Sequence, residues 1–173
     1  MTDSVINFID VETTGLDPLR HEIISVGIVS TQNLEVVSER EIKMLPTDIS
    51  RADPAALKMN QYSASLWQDA VSQEEGAVSV GELLGECIAG HNVFFDLLFL
   101  HETFKRHNIN YKMPKHVIDT YALAWLIGHK TGQPRSFSLT KLCEYFAITN
   151  SNPHTALSDA RASFEVYKNL LKT

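Results

Sequence analysis

Long hydrophobic runs are missing from this chain. The most apolar stretch, Val93 to Leu100, is short and carries Asp96, far below the ~20 apolar residues that cross a bilayer as a helix. No basic stretch ahead of an apolar run follows Met1-Thr2-Asp3, so no secretory leader is read. The expectation is a soluble, cytoplasmic protein without a membrane partner. Cysteine is scarce. Cys87 and Cys143 stand far apart and outside any Cys-x-x-Cys pattern, which argues against a disulfide framework and reads as two small core residues in a reducing compartment. Positive charge is in deficit: 15 Lys and Arg against 21 Asp and Glu leave a net charge of -6, the wrong sign for a protein that coats nucleic acid through a broad basic surface. Internal repeats, low-complexity tracts and linker-like segments are absent as well.

What is present is 173 residues, 44% hydrophobic, enough for one domain, residues 1–173, that buries its own core without a staple. Val5 to Val11, Glu22 to Thr31 and Val36 to Met44 are rich in β-branched residues and separated by short turn-like links, which predicts three consecutive antiparallel strands. Pro54 to Met59 and Ala64 to Ala70 read as short helices, and Ser79 with Glu82 has capping-box spacing. Ile88-Ala89-Gly90 reads as a short buried strand, Phe95 to His107 as a helix, and Val117-Ile118 as another strand. Asp119 is placed to cap a helix reaching Ile127, Gly128 to Ser136 reads as a basic loop, and Ser138 to Phe146 and Thr155 to Leu171 complete the helices. The order predicts an α/β fold, a mixed sheet of three antiparallel strands followed by parallel ones, flanked by helices.

Acidic residues stand out against this apolar background. Asp10 and Glu12 lie in Phe8-Ile9-Asp10-Val11-Glu12-Thr13-Thr14-Gly15, Asp96 in Gly90-His91-Asn92-Val93-Phe94-Phe95-Asp96, and Asp159 in His154-Thr155-Ala156-Leu157-Ser158-Asp159-Ala160. Residues two apart on a strand share a face, so Asp10 and Glu12 project together behind Ile6 and Phe8. Asp96 begins a helix, where any anion is favoured. Asp159 falls inside the last helix, and Arg161 cannot rescue it because residues two apart do not face each other there. Carboxylates among apolar neighbours need a counter-charge, and hard divalent cations with oxygen ligands supply one. The pattern points to metal-dependent cleavage of phosphate esters. His154, on the loop entering the last helix, is placed to turn an imidazole back over such a site.

Taken together, the three motifs resemble the DEDDh-type 3'-5' exonucleases of the ribonuclease-H-like fold, and are similar to the proofreading epsilon subunits of bacterial replicative polymerases. The resemblance spans Asp10 to Ala160. It implies that Asp10, Glu12, Asp96 and Asp159 hold two Mg²⁺ or Mn²⁺ ions and that His154 is the general base, releasing nucleoside 5'-monophosphates from the 3' end of a single strand. Two divalent cations would offset four of the six excess negative charges. The resemblance also suggests Thr14, Gly15 and Leu16 beside a terminal sugar and base, with a plain tight turn as the alternative. His91 and Asn92 read as substrate contacts or as ties between loop and sheet, and Phe95 as a stacking partner or, preferred, a core residue. DNA is favoured over RNA. The competing readings are an RNA 3'-end trimming enzyme and a catalytically silent module that docks on a polymerase. The last predicted helix ends close to Thr173, which suggests a stand-alone enzyme or one held by its own surface, with a polymerase or a second copy as protein partner.

Overall fold

The computed structural model describes residues 4–173. β1 (Ile6–Thr13), β2 (Ile23–Gln32) and β3 (Glu35–Lys43) form the antiparallel meander, and β4 (Cys87–Gly90) and β5 (His116–Asp119) extend it in parallel, giving the order β3-β2-β1-β4-β5. The β2–β3 hairpin closes through Asn33 and Leu34, both at positive φ (53° and 63°), the handedness that matches strand twist in a two-residue turn.

Each sheet face follows from strand alternation. Ile9 and Val11 turn toward α2 (Gln73–Leu83) and α3 (Phe94–Arg106), joining Val80, Leu97, Leu100 and Phe104. Phe8 turns the other way, toward α6 (Ala156–Leu170), where its ring lies 5.2 Å from that of Phe164. Helices α4 (Thr120–Thr131) and α5 (Leu139–Phe146) pack on α6 through Ala124, Leu142, Ala162 and Val166. The approach of α6 to β2 is made at Gly27, where an added Cβ would strike the Ala156 backbone. Arg161 points outward and pairs bidentately with Glu39 on β3, at 2.8 and 2.6 Å. Helix α6 is thus fixed at its start by backbone contact and along its edge by charge.

Three local readings are corrected. The capping box sits one turn pair earlier than expected, at Ser72 and Glu75, while Ser79 lies inside α2 with its hydroxyl donating to Glu75 O at 2.9 Å. The true start is chosen by Gln73, whose buried amide donates to Ile23 O and Leu45 O. Ala64 to Ala70 is a run of turns, not a helix, because Trp67 is drawn inward: its indole donates to Ile24 O at 2.8 Å and its ring meets Tyr62. Residues Gly128 to Thr131 belong to the last turn of α4, which Gly132 ends at φ 81°, so the loop is shorter than expected. The short α1 (Pro54–Met59) and the Asp119 cap, which accepts from Tyr121 N, are as predicted.

Candidate active site

β1 outruns β4. Its last paired residues with β4 are Asn7 and Phe8, so the strand from Ile9 onward has no neighbour on that side. Asp96, in the first turn of α3, fills this gap: its Oδ1 accepts from Val11 N at 2.8 Å. A residue that looked like a helix-start carboxylate therefore also serves as a cap on an unpaired, buried strand edge. Asp10 and Glu12 emerge on the Phe8 side, and α6, seated on β1 and β2, brings Asp159 to them. One oxygen from each of Asp10, Glu12 and Asp159 lies within 4.8 Å of the others. Asp96 stands outside that trio but close enough to Asp10 to repel its charge.

The electrostatics are those of crowded anions. Asp10 is raised well above the usual carboxylate range by burial first and then by Asp96, Asp159 and Glu12. Glu12 is pushed up to about 8, by burial, then Asp159 and Glu41. Asp96 is raised by burial against the opposing pull of the Val11 N–H. Asp159 is raised by burial too, while the amide of Asn150, the backbone of His154 and the His154 charge pull it down. Among the described residues no Lys or Arg pairs with any of the four acids. An oxygen-only donor set with unmet negative charge fits a hard divalent cation.

His154 sits at positive φ (63°), and its backbone N donates to Asp159 Oδ2 at 3.1 Å. Its side chain is exposed on the wall of a cavity of about 190 Å³ that also exposes Glu12 and Lys43. Asn150 reinforces the loop, donating Nδ2 to Asp159 Oδ1 at 2.6 Å and accepting from Ser158 Oγ at 2.6 Å. Neither Asn150 nor Ser158 was singled out from sequence; the Asn150-Ser151-Asn152-Pro153 run signalled a loop, not its partner.

A second cavity, about 270 Å³, opens on the other side of Glu12 and is lined by Thr13, Leu16, Met59, Asn60 and Phe95. Leu16 is 79% exposed and Phe95 is half-buried against Phe99. Asn60, another residue the sequence did not flag, borders both cavities and donates to Thr13 O at 2.8 Å. Thr14 has its N–H on Glu22 O and its C=O on Asp53 N, and the Gly15 carbonyl accepts from Thr13 Oγ1. Gly15 admits the ring of His21, where a Cβ would not fit. His91 and Asn92 lie apart from the acid trio. His91 Nδ1 meets Thr120 Oγ1 at 3.0 Å, its ring stands edge-on to Tyr121, and Asn92, at φ 58°, donates its N–H to Asp119 Oδ1.

The family model described as Exonuclease (RNase T) matches residues 8–167, which is nearly all of the chain. The chain belongs to the exonuclease family. Within it, the chain is 32% identical over 153 residues to the 3'-5' exonuclease DinG of Staphylococcus aureus, covering 88% of this chain but 16% of DinG. The chain thus spans about a sixth of the length of that relative. Among solved structures, exonuclease I superposes with a TM-score of 0.86 at 21% identity, over 98% of this chain and 41% of that one. Exonuclease X, solved with 5' overhanging duplex DNA, gives 0.69 at 19% identity, over 96% of this chain and 91% of its own. The sheet, three antiparallel strands followed by two parallel ones with helices on both faces, is the ribonuclease-H-like fold of DEDD-type exonucleases. No helix among the described residues is long and apolar enough to cross a membrane.

Proposed function

We propose that this chain is a divalent-metal-dependent 3'-5' exonuclease that releases nucleoside 5'-monophosphates from single-stranded 3' ends, with DNA preferred. The observation that carries the reading is the trio of Asp10, Glu12 and Asp159 oxygens within 4.8 Å of one another, with the His154 loop hydrogen-bonded to one of them. Asp10, Glu12, Asp96 and Asp159 are the ligand candidates for two Mg²⁺ or Mn²⁺ ions. Bound there, such ions supply positive charge for the scissile phosphate and acidify a water.

The protein's own groups do the rest. His154, beside Glu12 on the cavity wall, accepts the proton of the attacking water. The loop that bears it is tied to Asp159 through the His154 backbone N–H. Water adds to phosphorus, the bond to the 3' oxygen breaks, and that oxygen leaves with a proton from solvent. The terminal nucleoside fits the cavity between Leu16 and Phe95, where an exposed leucine and a half-buried ring offer apolar surface to a base. His91, through its ring, and Asn92, through its backbone N–H, hold the start of α4 against the end of β4, which leaves the exposed Asn92 side chain free for a substrate contact.

The DNA preference draws on exonuclease I, solved with a dT13 oligonucleotide, and on exonuclease X with duplex DNA. The test is mononucleotide release from labelled single-stranded and duplex DNA and matched RNA with Mg²⁺ or Mn²⁺. Release should be abolished in Asp10→Ala and reduced about 10²- to 10⁴-fold in His154→Ala, the range for a lost general base. No release with any divalent ion would reject the reading in favour of a silent binding module.

A further inference from the structure

Across the Thr13–Thr14 turn from the catalytic cleft lies a polar cavity of about 120 Å³ that the nuclease reading does not use. It is lined by Thr14, Thr47 and two carboxylate residues, Glu22 and Asp48, together with three arginines, Arg20, Arg51 and Arg106. In a chain of net charge -6 such a gathering is not a general surface property. Three distant segments build it: the β1–β2 link, the one-turn 3-10 helix Ile49–Arg51, and the last turn of α3.

The carboxylates nearby are already engaged. Glu22, only 9% exposed, takes Thr47 N at 2.8 Å and Thr47 Oγ1 at 2.6 Å and lies 4.0 Å from Arg106. Asp48 accepts from Ser50 N and Ser50 Oγ, with Arg51 near enough to add its charge. Arg106 is pinned, donating to Pro18 O at 3.1 Å and His21 O at 3.5 Å. The Arg20 backbone N–H donates to Asp17 O at 3.0 Å, while its side chain makes no hydrogen bond or ion pair among the described residues. The pocket therefore holds donors in excess of acceptors.

The geometry points to a phosphate-binding site formed by Arg20, Arg51 and Arg106. Guanidinium forks match phosphate oxygens bidentately. The ligand is a phosphate group, either in the backbone of a bound strand, which rests on the nuclease reading, or free.

Two measurements on the full chain separate these sources. Inorganic phosphate is titrated while the backbone amide resonances of Thr14, Leu19 and Thr47 are followed by NMR. They should shift, and the Arg20→Gln/Arg51→Gln protein should need at least about tenfold more phosphate. The Michaelis constant is then measured for oligonucleotides of increasing length. If the site holds a strand, the double variant raises it about tenfold for long oligomers and leaves a p-nitrophenyl thymidylate ester unchanged, and the log–log salt slope falls by about 1.4, two contacts at ~0.7 each for a single strand. Phosphate-dependent shifts without any length effect assign the site to free phosphate. Amides that do not respond, together with an unchanged Michaelis constant at every length, overturn the proposal, and the first measurement reads even if the chain cleaves nothing.

Discussion

Replacing Glu12 by Gln should make the metal-free protein more stable while removing its activity. Glu12 ordinarily titrates at 4.5 and is pushed to about 8 by burial and by the charges of Asp159 and Glu41. A carboxyl whose folded-state value is raised contributes stability that is fully present below its unfolded value and lost as pH rises through the folded one. The window is therefore pH 4.5 to about 8. At 1.36 kcal/mol per pH unit that interval corresponds to roughly 5 kcal/mol as a ceiling. Solvent reaching a carboxylate on a cavity wall screens part of it, so about 2 kcal/mol is expected. For a chain of this size that is roughly 4–8 °C in melting temperature. The assay is thermal unfolding in chelator from pH 5 to 9. The wild-type melting temperature should fall as pH rises, Glu12→Gln should follow a shallower course and melt higher at pH 8.5, and Mn²⁺ should restore the wild type more than the variant. A wild-type curve flat between pH 5.5 and 8.5, with the variant no more stable at the upper end, would refute the charge-crowding account of the site.

Other outcomes follow from single contacts. Asn150→Ala removes the 2.6 Å bond to Asp159 and should lower kcat/KM about 10- to 100-fold, the usual cost of losing a partner that orients a metal ligand, with a higher Mn²⁺ requirement and little change in melting temperature. Gly27→Ala drives a methyl into the Ala156 backbone and should cost about 3 kcal/mol, the upper end of the overpacking range, by denaturant unfolding, displacing the start of α6 and with it Asp159. Lys130→Gln/Arg135→Gln tests the segment around the end of α4 as a strand contact: the Michaelis constant should rise and its salt dependence flatten, and an unchanged salt profile rejects that role.

Much of the fold was readable because its signals are local. Alternation of β-branched residues marks β1, β2 and β3, and Asp119 caps α4 through an amide two residues away. The pairing of Asp10 with Glu12 needs only the two-residue period of a strand, and His154 falls on a loop because Pro153 and its polar neighbours break the helix. Where a long-range partner decides, sequence periodicity points elsewhere. Ser79 and Glu82 have the spacing of a cap, yet Gln73, bound to Ile23 and Leu45, starts the helix earlier; Trp67, bound to Ile24, turns Ala64 to Ala70 out of a helix.

From the sequence alone came the strand and helix order, the acids with their strand and helix addresses, and the resemblance to an exonuclease. The meeting of Asp159 with Asp10 and Glu12, the use of Asp96 to cap an edge of β1, the Asn150 brace and the arginine-lined cavity belong to the tertiary structure. The reason is physical: a motif states which side chains share a strand or a helix face, but distances between elements depend on how closely backbones approach, as at Gly27, and on which strand outruns its neighbour, as β1 does beyond β4.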